Sequence, residues 1–555
     1  MLPPEAREGS VFQRFQNKKA AEQAVQPTGS TPESSHSEAG RVTEIRDGLH
    51  QEPKRKRPGA EQDLALLEAM ARLSQKAEKA STPVRSETQV LLDFAKRGKL
   101  FRQPDDEPFI VFDAPIGRLT FEVRSEEGAR FLSGLYQNQH KKAPQRQAIR
   151  EALRELEIQA SYGENVETLH LRRARTPEGI WLDLGDAQGR VAQISPQGWR
   201  IVAHAPVYFK RPRHQLPLPA PELGGDRTLL EGMLTVTDRM DLMLLLGWIM
   251  AAYNPLIPAP MLVFTGPQGS GKTTLARLLR MLIDPSRAEV MGLPGEAVFA
   301  QVLEHHAVPV FDNLGRLTAR QANLLCRGVT GLSYIKRRHF TDSEDVILGA
   351  RRPMILTALE TPTEAPDWLD RALVLKLPLL TGRVRAEETQ LMHVFLSHQA
   401  RFLGLMMTGL SATMTETARM PRTMNLPRMA DFAAWGRAMM AGMKTDPDLF
   451  LEALERNARQ KNEALLERDE TGHAIVSFMA GKTEWKGQME ELARELWPRT
   501  SRQKRLSAVQ LGLYLRRMQI NLESQGIGIE MTRSHGIRTI ELKQMASFTP
   551  STRHP

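Results

Sequence analysis

GPQGSGKTTL, residues 266–275, decides how the rest of the chain reads. It fits G-x-x-x-x-G-K-S/T, and it lies between an apolar run that reads as a strand, MLVFT, and a run with helical spacing, TTLARLLRMLI. Strand, glycine loop and helix in that order are the context in which the motif holds phosphates. Gly266, Gly269 and Gly271 let the main chain wrap closely, and the loop they form with Pro267, Gln268 and Ser270 turns N–H groups toward a β-phosphate. The helix N-terminus at Lys272, Thr273 and Thr274 adds its own positive end. Lys272 would neutralise β and γ oxygens and the Thr273 hydroxyl would ligate magnesium, which makes ATP and Mg2+ the expected cofactors.

A site of this kind needs an acid at the tip of a neighbouring strand. HAVPVFDN (306–313) supplies Asp312, which would hold the magnesium through water or else merely cap a strand end. Asn313 stands where many such ATPases keep a glutamate to activate water, so turnover would be slow unless a base such as Glu304 or Glu344 substitutes. RRPMILTALE ends a third strand in Thr357, which either orients the attacking water or makes only local bonds. DWLDRALVLKL places Arg371 just before a fourth strand. There an arginine either reaches a neighbouring subunit's γ-phosphate or pairs with Asp370 or Asp367.

The runs MLVFT, AVPVFD, MILTAL and ALVLKL, alternating with helices, are what a parallel sheet buried on both faces produces. The expected fold is multidomain α/β. Residues 1–60 form a disordered tail rich in Gln, Ser, Pro, Glu and Gly. Residues 61–225 form an α+β domain that opens with a helix (Leu64, Leu67, Met70, Leu73) and closes with the linker RPRHQLPLPAPELGG; nothing within it carries obvious chemistry. Residues 226–445 form the P-loop core, 446–545 a C-terminal module and 546–555 a tail. In that module WKGQMEELARELW and LSAVQLGLYLRRMQINLESQG read as two helices sharing one buried stripe, and IGIEM, RSHG and IRTIEL read as a hairpin. Two helices and a basic hairpin make a winged helix, with Arg516 and Arg517 on the second helix and Arg533, His535 and Arg538 on the wing facing DNA, or with the same surface docking a protein.

Bulk composition narrows the class. The 555 residues carry 75 Lys and Arg against 65 Asp and Glu, a net charge of +10, which favours a polyanionic partner. One cysteine, Cys326, permits neither an intrachain disulfide nor a cysteine zinc cluster. No apolar run approaches the roughly 20 residues that span a bilayer, and LMLLLGWIMAAY (242–253) reads as a buried helix, so a cytoplasmic protein with no membrane partner is expected.

With these pieces in order, the chain resembles the AAA+ ATPases of the superfamily 3 helicase type, in particular the poxvirus-like primase–helicase ATPases of phages, plasmids and integrative elements. The resemblance rests on GPQGSGKTTLARLLRMLIDP, VPVFDN, KRRHFTDSEDVILGARRPMILTALE, LDRALVLKLP and LPRMADFAAWG, with GIWLDLGDAQGRVAQISPQGWRIV upstream, and covers roughly residues 98–543. It implies a homohexameric ring that moves on DNA during replication of a mobile element. It also implies that YIKRRHFTDSE forms a pore hairpin with Lys336, Arg337, Arg338 and His339 facing single-stranded DNA; an ordinary charged edge strand is the competing reading. Relatives usually have asparagine where Thr357 stands. No primase motif is recognisable, so the chain looks like a motor whose primase or polymerase is a separate partner. Two other readings stay open: a DNA-bound ATPase that loads or remodels a replisome or transposition partner without unwinding, and a nucleotide-gated DNA-binding initiator with little turnover.

Overall fold

The computed structural model describes residues 85–114, 117–186, 188–337, 345–380, 388–421, 426–497, 506–523, 525–534 and 537–545. The tails, the apolar positions 64–73 of the expected leading helix, and Arg338, His339, Glu344 and His535 lie outside the described residues.

Four five- or four-residue strands form the central sheet: Met261–Thr265, Val310–Leu314, Ile355–Ala358 and Ala372–Lys376. All pairings are parallel, and across the sheet the order is Val310–Leu314, Ile355–Ala358, Met261–Thr265, Ala372–Lys376. Side chains alternate across a strand, and the two faces feed different cores. Leu262, Phe264, Val310, Ile355 and Leu375 pack with the helices Arg239–Tyr253, Lys272–Ile283 and Glu388–Arg419. Met261, Val263, Phe311 and Leu356 pack with Glu296–His305 and Ala319–Thr330. This two-sided burial is why the strands read as unbroken apolar runs. Arg239–Tyr253 is buried from Met243 onward, and among the described residues no helix is long and apolar enough to cross a membrane.

The N-terminal region divides in two. A three-stranded antiparallel sheet, Lys99–Arg102, Pro108–Ala114 and Gly117–Glu122, packs with the helices Glu87–Ala95, Glu126–His140 and Arg146–Tyr162 around its own core. Ser86 and Ser125 start the first two helices by accepting main-chain N–H bonds. A four-stranded meander follows, Arg173–Thr176, Gly179–Asp183, Val191–Ser195 and Gly198–Val202. Its Ile180, Leu182, Ala192 and Ile194 belong to the same core as the central sheet.

A buried polar cluster ties the meander to the sheet. Arg172 Nε donates to Asp284 Oδ1 at 3.1 Å, and Asp284 Oδ2 accepts from the N–H groups of Ala307 and Val308. Arg280 donates to His306 Nδ1 at 2.6 Å, and the His214 ring stacks on His306 at 4.0 Å. Burial, with the Arg280 charge beside it, pushes the His306 imidazole down to about 3, and burial lowers His214 as well. Both rings are therefore neutral in the fold, and the stability they share is complete above the unfolded value near 6.5 and is lost as pH falls below it. The melting temperature is expected to drop steadily from pH 6.5 to pH 4, and His306→Gln to flatten that slope; a wild-type slope unchanged by the substitution would remove His306 as its cause.

In the C-terminal module, Leu492, Leu496, Leu511, Leu515, Met518 and Leu522 form the buried stripe between the helices Met489–Leu496 and Ala508–Glu523. The strands Ile527–Ser534 and Ile537–Gln544 make the hairpin. Residues 485–488, expected in the first helix, instead belong to a third strand, Glu484–Gln488, paired antiparallel with Ile537–Gln544. The helix starts later because Gln488 and Glu491 cap it reciprocally. The helix Asp448–Arg468 joins the module to the rest, since its Phe450 and Ala453 sit in the central core.

Candidate functional site

The loop after Met261–Thr265 turns through Gly266, Gly269 and Gly271 at φ of 146°, 84° and 78°. Only glycine enters these regions freely. At Gly266 space is also exhausted, because a Cβ would stand 2.3 Å from the Leu377 carbonyl oxygen. Pro267, Gln268 and Gly269 are exposed and Ser270 is buried. Lys272 opens the helix Lys272–Ile283, and its Nζ folds back to donate to the carbonyl oxygens of Gly266 and Pro267, each at 2.8 Å, and to Ser270 Oγ at 3.3 Å. Burial holds this ammonium below its ordinary range, opposed by the Asp312 charge. The loop thus places a lysine, a helix N-terminus with Thr273 and Thr274, and glycine main chain around one small space.

Asp312 closes the other side. Its Oδ1 accepts from Thr273 Oγ1 at 2.9 Å and from Thr357 Oγ1 at 2.5 Å, and Thr357 Oγ1 in turn accepts from the Asn313 N–H at 2.8 Å. Parallel register sets Asp312 and Thr357 side by side in adjacent strands, and Thr273 reaches Asp312 from the first turn of Lys272–Ile283. Asn313 is exposed at φ 56°, within a bulge between Phe311 and Leu314. A hydroxyl has one hydrogen, and Thr357 gives it to the carboxylate. Thr357 is therefore bonded locally, to Asp312 and the Asn313 N–H. Thr273 Oγ1 and the Asp312 carboxylate together offer the hard oxygen donors that suit a small divalent cation beside phosphate. Among the described residues no group of three or more His, Cys, Asp and Glu could hold a metal by itself.

The remaining expected residues lie elsewhere. Arg371 sits at the sheet edge where the strands begin, its carbonyl accepting from the Met261 N–H, a five-residue strand or about 17 Å from the loop. Its guanidinium is bonded to Asp367, and Arg428 bridges Asp367 and Asp370 at 2.8 and 2.6 Å. Glu304 belongs to Glu296–His305 and acts on Arg352, just before Ile355–Ala358, so it too is at the edge away from Asp312. Lys336 and Arg337 end the strand Leu332–Arg337, which pairs antiparallel with Asp345–Ala350. Arg516 and Arg517 are exposed opposite the buried stripe of their helix, while Arg533 and Arg538 pair across the hairpin next to its turn. Val509 and Leu513, which had no place in the sequence reading, are exposed on the same helix.

Residues 229–446 match the family model described as the actinomycete integrative conjugative element replication protein, and residues 471–552 match the AICE RepA C-terminal domain. Both descriptions agree with the integrative elements named among the relatives in the resemblance. Among solved structures, the apo structure of the NrS-1 C-terminal region is similar at 10% identity over 82% of this chain and 99% of that one, with a TM-score of 0.39. The X-ray structure of JCV helicase is similar at 12% identity over 39% of this chain and 65% of that one, with a TM-score of 0.22. No curated protein matches the sequence.

Proposed function

We propose that this chain, which carries both replication-protein domains of an actinomycete integrative conjugative element, serves that replication as an ATP-dependent DNA helicase. The observation that carries the reading is the convergence of Lys272, Thr273 and Asp312 on one space at the ends of parallel strands. In this reading residues 266–274 form a P-loop. On ATP binding, the Lys272 ammonium moves from loop carbonyls to phosphate oxygens, and loop N–H groups hold the β-phosphate. Thr273 and Asp312 would hold magnesium, which would supply neutralisation of the phosphate charge. Thr357, anchored by the Asn313 N–H, keeps the carboxylate turned toward Thr273.

The same proposal gives the chain an AAA+ core in a homohexamer. The hairpin with Lys336, Arg337, Arg338 and His339 grips single-stranded DNA in the pore, and the C-terminal module acts as a winged helix on duplex through Arg516, Arg517, Arg533, His535 and Arg538. A separate primase or polymerase completes the replication step. One observation favours a second reading, the nucleotide-gated initiator: Asn313 occupies the usual glutamate's place, and Glu304 is at the far edge of the sheet.

ATP hydrolysis by the purified protein, with and without single-stranded DNA and beside Lys272→Ala, separates the two. Turnover that rises severalfold with DNA and is absent from the variant is expected, followed by strand displacement on a forked substrate. Turnover at the variant's level in both conditions would sink the helicase and leave the initiator.

A further inference from the structure

Between the N-terminal three-stranded sheet and the meander lies a cleft of about 520 Å³. That is within the roughly 300 to 1,000 Å³ of ordinary ligand sites. Five arginines line it, Arg118, Arg130, Arg211, Arg213 and Arg287, against two carboxylates, Glu127 and Asp186. We infer that this cleft is a second nucleic-acid site, one that takes the phosphodiester backbone of a single strand. The inference shares with the proposed function only the premise that DNA is the partner, and it needs no ATP hydrolysis.

The arginines divide into builders and binders. Arg211 is held by Asp183 through two bonds of 2.6 and 2.9 Å, and Arg118 pairs with Asp113 at 2.7 Å while its guanidinium lies over the Tyr208 ring. Those two shape the cleft. Arg130 and Arg213 stand on its rim with side chains 69% and 67% exposed. Arg213 Nε donates to Glu127 at 2.7 Å and its guanidinium approaches the Glu126 carboxylate at 3.9 Å, while Arg130 Nε donates to the Glu126 carbonyl oxygen at 3.2 Å and its guanidinium approaches the Glu126 carboxylate at 3.9 Å. Exposed pairs of this kind contribute at most about 1 kcal/mol, so a phosphate can displace the carboxylates at little cost. Each guanidinium presents five N–H groups in a fork that fits phosphate in a bidentate way.

The walls favour a nucleotide over a bare anion. Leu119 and Phe121 from Gly117–Glu122 and Val207 and Phe209 from the far side also line it, giving a base apolar and aromatic surface beside the cationic rim. The cleft also touches the motor directly. Arg287 lies four residues beyond the end of Lys272–Ile283, and its N–H donates to the His214 carbonyl beside the cleft's Arg213.

The test measures anisotropy of a labelled oligothymidine about 20 nucleotides long with the full-length protein, without nucleotide, across a salt series. Arg130→Ala/Arg213→Ala is expected to weaken binding about tenfold. It should also make the slope of log affinity against log salt shallower by about 1.4, since each lost phosphate contact removes about 0.7. The same loss should appear on top of Lys336→Ala/Arg337→Ala, while melting temperature and DNA-free ATP turnover stay unchanged. Equal affinity and equal slope in wild type and Arg130→Ala/Arg213→Ala would overturn the site. So would thymidine monophosphate displacing the oligonucleotide at micromolar concentration from wild type, which would make the ligand a free nucleotide. If ATP turnover is absent but the cleft behaves as described, the helicase reading alone fails.

Discussion

Arg371→Ala is expected to lower ATP turnover by about 10³ to 10⁵, and an equal mixture of Arg371→Ala with Lys272→Ala to recover part of it. Arg371 cannot serve the loop of its own chain, because the length of a strand separates the two. At a head-to-tail interface it would face the next subunit's loop. In a random mixture, about a quarter of such interfaces combine an intact loop with an intact arginine. The competing account is the ion pair with Asp367, whose carboxyl Arg371 holds below the usual range. That pair is partly open, with side chains 18% and 52% exposed, and Arg428 also reaches Asp367. Its removal should therefore cost at most about 1 kcal/mol of stability. A large fall in melting temperature with no recovery in the mixture would make Arg371 a structural residue.

The parts of the candidate site legible in the sequence are those whose placement follows local rules. A glycine-rich pattern between a five-residue apolar run and an amphipathic helix places Lys272 and Thr273 at a helix start, and parallel pairing sets Asp312 and Thr357 side by side on neighbouring strands. Which partner the Thr357 hydroxyl takes is not legible, because it depends on where Asp312 Oδ1 lies within a bulge no sequence rule places. The meander was assigned to an N-terminal domain, yet its inner face is buried with Glu388–Arg419, about two hundred residues later in the chain. The arginine cleft escaped notice for a similar reason. Its five guanidinium groups come from four segments, with Arg211 and Arg213 sharing one, and each alone looks like ordinary surface charge.

Asp284→Ala is expected to destabilise the protein by about 3–5 kcal/mol, the cost typical of breaking a buried pair by removing one partner. The side chains of Arg172 and Asp284 are 0% and 6% exposed, so no water can replace what is lost. The guanidinium would keep its bonds to the carbonyls of Leu184, Leu216 and Pro285 but not its counter-charge, and the N–H groups of Ala307 and Val308 would lose their acceptor. Those two residues lead into Val310–Leu314, and Asp284 ends the helix that Lys272 begins, so the damage falls on both walls of the space between Lys272 and Asp312. Urea unfolding followed by two probes, tryptophan fluorescence and circular dichroism, checks the magnitude in a chain too large to assume a single transition. Arg172→Met/Asp284→Leu should recover much of the loss, since apolar groups of similar volume often replace a buried pair without penalty. A cost below about 1 kcal/mol for Asp284→Ala would mean that the carboxylate is not what joins the meander to the loop helix, and the Arg280–His306 contact would be left to hold that junction.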